Sequence, residues 1–346
     1  MTININLVKK YIKPGIINRE PELVTTIIKN DFFLENRIAI LNNITCITNY
    51  KNKYESIKSI FPVEFCELDE TVEKFDLNDE YFIVTYNFEI TAPAYDFNAY
   101  IFKMTHIKNI IFCLMDSYYT IINNLFDLYN IDICYFNVEP ENIVFYKNST
   151  PVLINFQDSF KINHITYDNF NKIITDKTNF IYYPIEIHLL FYIKSNNLDY
   201  ITFDDIEQLS SGYVDNLSIL SFFSHSYRKK YKELCVQFLE KYLNVEKSHI
   251  FKDIIKHAYT WDNFCLSVLF IHLLGSLINK YSLKGTFLNE FVLVLSQNIH
   301  PNPVKREKMN YNIEQYELLF GKHTDWGFIN KLPNLHINIS DYFDVL

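Results

Sequence analysis

Residues 133–160 read ICYFNVEPENIVFYKNSTPVLINFQDSF and carry two polar clusters at close spacing. The first is Asn137-Val138-Glu139-Pro140-Glu141-Asn142; the second is Asn155-Phe156-Gln157, followed by Asp158. Between them, residues 143–146 and 151–154 are short apolar runs flanking a polar tip at 147–150, the pattern of a small β-hairpin. A loop, a hairpin and a second loop bring both clusters to one end of a small sheet, a common way to set a site on a rigid support. Asparagine amides in such a site give and accept hydrogen bonds. They carry no negative charge and are no useful base at pH 7.

Several elements must position these clusters. Residues 106–130 place Ile107, Ile110, Ile111, Leu114, Met115, Tyr118, Ile121, Ile122, Leu125 and Phe126 on one stripe, which predicts a long amphipathic helix leading into the first cluster. Residues 22–29 are β-branched and strand-like, and 31–44 space Phe33, Ile38, Leu41 and Ile44 at helical period. Residues 80–86 read as a further strand, followed at 87–96 by a connection that contains Pro93 and lacks the composition of a flexible linker. Beyond the hairpin, 158–180 reads as polar and irregular.

The chain has 346 residues, 49% hydrophobic and 17% aromatic, which excludes a disordered chain and allows one large core or two moderate ones. Glycine is scarce at 6, whereas Phe at 30 and Tyr at 26 abound, a bias expected of an AT-rich genome. The net charge of −9 argues against a nucleic-acid-binding surface. The 6 cysteines, Cys46, Cys66, Cys113, Cys134, Cys235 and Cys265, form no Cys-x-x-Cys pair and read as reduced core residues of an intracellular protein. The N-terminus lacks the apolar stretch of a signal peptide, and the longest apolar run, 264–278, is short for a membrane span and reads as a buried helix. A soluble protein without a membrane partner is expected. No His-Glu-x-x-His, Gly-x-Ser-x-Gly or Gly-Lys-Ser/Thr pattern occurs.

The 133–160 stretch resembles the catalytic core of the protein kinases, where a His-x-Asp-x-Lys-Pro-x-Asn loop is followed by a hairpin and Asp-Phe-Gly. Tyr135 to Asn142 and Asn155-Phe156-Gln157 occupy those places without a gap. In that family the loop aspartate receives the proton of the attacking hydroxyl, and the second aspartate holds Mg²⁺. The resemblance puts Asn137 at the base position, Glu139 at the loop-lysine position with its charge reversed, and Asn142 and Asn155 at metal positions. Three later markers match in order. Tyr182-Tyr183-Pro184-Ile185-Glu186 resembles the closing Pro-Glu motif, in the aromatic form of kinase-like proteins from giant (nucleocytoplasmic large) DNA viruses. Residues 260–267 match the start of the helix whose aspartate, here Asp262, ties down the loop, and Arg306 matches the arginine that pairs with the Pro-Glu carboxylate, here Glu186. Tyr135 and Phe156 take structural places in the same motifs.

The resemblance implies an α+β, protein-kinase-like two-lobed fold: a small mixed β/α lobe over 1–86 and a larger, mainly helical lobe over 87–346, matched to about residue 310. Lys29 would be the phosphate-pairing lysine and Glu35 its helix partner, or else both are solvated surface charges. Asp158 would be a displaced metal carboxylate, or an exposed loop residue. Gly15 is the lone glycine before the first predicted strand, so no glycine-rich loop is available to approach phosphates.

Loss of the base, the metal aspartate, the loop lysine and the glycine loop together points to a pseudokinase of a large DNA virus. It would act as a binding, scaffold or regulatory module without a cofactor, in host cytoplasm, a viral factory or the virion. Its partner would be a protein, viral or host, such as a kinase or kinase substrate, contacted through 158–180 and the tail. One alternative is a divergent active Ser/Thr kinase using ATP with Mg²⁺. Another is a virion structural or host-interaction protein whose cleft is occluded by aromatic side chains.

Overall fold

A run of β-branched side chains from Val24 to Ile28 favours extended backbone, and it lies in strand β2 (Leu23–Lys29). The computed structural model describes residues 2–4, 23–63, 79–89, 95–145, 150–176, 181–280, 283 and 286–321. Strand β1 (Thr2–Asn4), helix α1 (Phe32–Ile44), β3 (Ile57–Pro62) and β4 (Tyr81–Glu89) accompany β2. The strands form an antiparallel sheet in the order β1-β2-β4-β3. With a side-chain period of two, Ile28, Val84 and Tyr86 share one face, and Leu34 and Ile38 of α1 pack against it. Asp31 caps α1, its carboxylate accepting the N–H groups of Phe33 and Leu34 at 3.0 Å each.

Contacts divide the chain into two compact units, residues 1–98 with 141–159, and residues 99–140 with 160–346. This division differs from the single boundary at 86/87 expected from the sequence. The expected hairpin is present as β7 (Ile143–Phe145) and β8 (Pro151–Leu153), with Val144 opposite Val152; its tip, 146–149, lies outside the described residues. The hairpin belongs to the first unit, where β5 (Tyr95–Asp96) pairs with β7 and Tyr54 bridges Leu153 in parallel. The connection expected at 87–96 is therefore partly strand. β4 runs through Glu89 and β5 ends at Asp96, while 90–94, with Pro93, lie outside the described residues. Helix α2 (Phe97–Phe102) follows, and Phe97 packs on Phe145 at 5.7 Å between ring centres.

The second unit is mainly helical. It contains α3 (Ile107–Asn130), β6 (Ile133–Cys134), β9 (Phe160–Lys161), α4 (Tyr167–Asp176), α5 (Ile185–Ser195) and α6 (Phe203–Asn216). It continues with α7 (His225–Leu239), α8 (Lys247–Ile254), α9 (Trp261–Lys280), α10 (Phe287–Ser296) and α11 (Met309–Gly321). The apolar stripe predicted for α3 is its buried face, with Phe126 half-buried at the margin. Helix α9 is apolar all round, as a central helix should be, and residues 264–271 are all buried. The helical stretch Lys247–Ile278 is long and apolar enough to cross a membrane by length and composition, but 89% of its most apolar window is buried within the protein. The chain is thus mixed α+β and mostly helical, with a small sheet-containing N-terminal region.

Three expectations need correction. Of the segment expected to be irregular over 158–180, the described residues 158–176 are largely ordered, and 177–180 lie outside the described residues: β9 pairs antiparallel with β6, and α4 buries Phe170, Ile173 and Ile174 at i, i+3, i+4 spacing. The segment after 310 begins as part of the core, because Tyr316 of α11 donates its hydroxyl to the carbonyl of Met115 at 2.9 Å. Among the cysteines, Cys134, Cys235 and Cys265 are buried, whereas Cys46 is exposed and Cys113 half-buried; Cys66 lies outside the described residues. Gly275 allows α9 to approach the turn at 218–222, since a Cβ there would lie 2.6 Å from the Phe222 ring. Gly275→Ala should therefore destabilise the protein by ~1–3 kcal/mol through overpacking. In urea unfolding, Phe222→Ala should cost less in that background than in the wild type.

Candidate functional site

The chain enters the first polar cluster through Tyr135 and Phe136, both fully buried. Asp262, in the first turn of α9, accepts the backbone N–H of Tyr135 and that of Phe136, each at 2.8 Å. This is the loop anchor expected of Asp262. A carboxylate 3% exposed needs such donors to remain charged. Burial also pushes the neighbouring Cys134 thiol well above its ordinary pKa, and Asp262 pushes it further in the same direction. Such a thiol is no nucleophile.

Phe136 has φ 54, a left-handed conformation that bulky residues rarely adopt. Its ring packs at 4.9–5.6 Å from those of Tyr183, Phe160, Phe170 and Trp261. Asn137 follows, 2% exposed. The Tyr183 hydroxyl donates to the carbonyl of Phe136 at 2.9 Å, with the Glu139 carboxylate 3.3 Å away. Glu139 is thus drawn toward Tyr183 on the segment leading into α5.

Behind this cluster lies the ion pair expected between Glu186 and Arg306. Nη1 and Nη2 of Arg306 donate to Oε1 and Oε2 of Glu186 at 2.5 and 2.8 Å, with both side chains 1% exposed or less. The remaining donors of Arg306 reach Thr260 Oγ1 at 3.0 Å and the carbonyls of His300 and Pro301 at 2.7 and 3.1 Å. Trp261 Nε1 adds a hydrogen bond to Glu186 at 3.1 Å. Burial opposes the charge on Arg306, but the Glu186 carboxylate more than offsets it and leaves the guanidinium pKa raised. The hydroxyls of Tyr213 and Tyr231 are pushed well above their ordinary values by burial. The pair is structural, closed off from reacting groups by its own hydrogen bonds.

The second cluster, with Asn142, lies in the first unit. Asn142 ends a short 3₁₀ turn, is 8% exposed, and accepts the N–H of Ile154 on its backbone carbonyl at 3.0 Å. Asn155 sits in the left-handed region at φ 65, ψ 61, a conformation asparagine tolerates better than most residues. Its Nδ2 donates to Asn142 Oδ1 at 3.2 Å, so these two site residues are brought together. Phe156 is fully buried and meets Tyr54 edge-on at 5.9 Å. Asp158 is 6% exposed, which corrects its reading as an exposed loop residue.

Lys29 lies 2.5 Å from Asp79, and both side chains are part-exposed. Glu35 is exposed in the first turn of α1. An exposed pair of the Lys29–Asp79 kind contributes little to stability. The sequence reading missed Arg37 and Glu55. Arg37 Nε donates to Glu55 Oε1 at 2.8 Å, and Nη2 makes a second, short contact with Oε2, while Glu55 is 2% exposed. Oε1 also accepts the N–H of Phe156 at 3.1 Å. The guanidinium lies 4.9 Å over the Tyr86 ring, and burial pushes the Tyr86 hydroxyl up to about 12 despite that nearby cation. No local spacing links residues 37, 55 and 156, so only an alignment of many sequences would have signalled them.

A hard divalent cation is held by charged and neutral oxygens arranged around it. Asn142 and Asn155 offer neutral amides, and the Asn142 side-chain oxygen is already engaged by Asn155. These two amides by themselves bring no charged oxygen to a cation. No protein-family model and no curated protein matches the chain.

Arg306→Ala would leave Glu186 buried and unpaired, and should lower stability by ~3–5 kcal/mol in urea unfolding. Replacing both partners, with Glu186→Leu and Arg306→Met, should cost much less than the single substitution.

Proposed function

We propose that the chain is a pseudokinase, a protein-kinase-like two-lobed fold that engages a protein partner and transfers no phosphate. One observation carries this reading: the hydrogen bond from Asn155 Nδ2 to Asn142 Oδ1 at 3.2 Å. The kinase resemblance puts metal ligands at those two positions, and here one amide donates to the other. Phosphoryl transfer relies on positioning and on neutralising developing charge, and a neutral amide pair supplies neither a metal site nor a compensating cation. Asn137 at the base position is no base, and Glu139 at the loop-lysine position would repel a phosphate.

The kinase-like architecture is part of the same proposal. It draws support from the α+β class, from the hairpin joining the two polar clusters, and from the Asp262 and Glu186–Arg306 contacts at the positions the resemblance singles out. A large DNA virus as source, with a site of action in host cytoplasm or virion, rests on the sequence resemblance alone. The surface offered to a partner would be the exposed side of 163–175, where Asn163, His164, Asp168 and Lys172 face solvent.

A second reading, a divergent Ser/Thr kinase, is favoured by the burial of Asp158 in the short turn that follows Asn155. A thermal-shift titration with ATP, with and without Mg²⁺, separates the two. A ligand at about 100 times its dissociation constant adds ~2.7 kcal/mol, a rise on the order of a few degrees. The pseudokinase should show no Mg²⁺-dependent rise. Such a rise, removed by Asp158→Asn, would establish the second reading in its place.

A further inference from the structure

We propose that α1 latches the turn that follows Asn155, with Asn36, Arg37 and Glu55 as positioning residues that hold Phe156–Ser159 in one conformation. An asparagine amide has two hydrogens to give. Asn36 Nδ2 donates to the carbonyl of Gln157 at 2.8 Å and to that of Ser159 at 2.7 Å, the two carbonyls that bracket Asp158. The next residue on the helix, Arg37, holds Glu55 through two N–H groups, and Glu55 accepts the N–H of Phe156 at 3.1 Å.

Glu55 is itself fixed from the other side. Its N–H donates to the carbonyl of Leu153 at 2.8 Å, and the N–H of Leu153 donates to the carbonyl of Lys53 at 3.0 Å. Tyr54, between them, packs edge-on against Phe156. The Asp31 cap pins the start of the helix one turn before Asn36.

Three backbone groups of the turn, one N–H and two C=O, are therefore tied to α1, directly or through a single buried carboxylate. Rearranging the turn would break all three of these bonds at once and take from Glu55 the Phe156 N–H, leaving it Arg37 alone, which is the costly side of any hydrogen-bond exchange. Helix and turn consequently behave as one body, and the turn is not a switch. The inference goes beyond the proposed function and does not rest on it, because the latch is the same whether or not phosphate is transferred.

Hydrogen exchange on the full chain tests it, following amides at 154–159 in the wild type, Asn36→Ser and Glu55→Gln. Each substitution should speed exchange there by about tenfold or more while amides of α3 and α9 keep their wild-type rates, the signature of local opening. Unchanged exchange at 154–159 would overturn the latch, and so would equal acceleration throughout the chain. If Glu55→Gln does not fold, Asn36→Ser alone decides, since it leaves the Arg37–Glu55 pair in place.

Discussion

Two amides of the central loop end on one carboxylate, and much of the second unit follows from that. Asp262 cannot stay charged while buried without donors, and it takes them from consecutive residues, which fixes the loop's path at Tyr135 and Phe136. Phe136 is thereby held at φ 54, a strained position for a bulky residue that persists only when its surroundings over-determine it. They do so here, because the same conformation puts its ring among Phe160, Phe170, Tyr183 and Trp261. Trp261 precedes Asp262 on α9 and donates to Glu186. One turn of one helix thus positions the loop, the aromatic cluster and the Glu186–Arg306 pair.

The same logic explains why α4 is ordered. Phe170 touches both Phe136 and Trp261, and Phe160 packs against Phe170 edge-on at 5.8 Å. A segment whose position is set by ring packing needs no added charge to dock it. Segments ordered by phosphorylation instead depend on a new arginine pairing. On the pseudokinase reading, this segment is a fixed surface for a partner.

What the sequence made legible depended on whether the signal was local. The α3 stripe and the hairpin repeat at helical and strand periods, so their burial and pairing could be read directly. Glu186 and Arg306 were reachable only through the kinase resemblance, since nothing in their spacing implies contact. Arg37 was invisible on both counts: it lies outside any motif, and on a helix read from Phe33, Ile38, Leu41 and Ile44 it passes for a solvent-facing charge. Helix α4 was missed because Asp168, Asn169, Asn171 and Lys172 crowd around the apolar positions and lower the mean hydropathy below what a core segment usually shows.

The Glu186–Arg306 and Glu55–Arg37 pairs also show which charges such a fold can lose. Each carboxylate accepts a further donor besides arginine, the Trp261 indole for Glu186 and the Phe156 amide for Glu55. Deleting the glutamate strands the guanidinium and that donor together, and deleting the arginine strands the carboxylate charge, so neither pair can erode one residue at a time without damage. Charges that serve a metal are different. In the kinase motif the Asn142 position is already asparagine and only the Asn155 position is a carboxylate, which without a cation would be a charge lacking compensation; here the two amides hydrogen-bond. If the chain descends from a metal-dependent ancestor, replacing the one aspartate by Asn155 removed a charge that a cation had compensated and left a neutral hydrogen bond to Asn142. Loss of the chemistry then carries no penalty in folding, while loss of either buried pair does. That asymmetry explains how a scaffold can outlast its reaction.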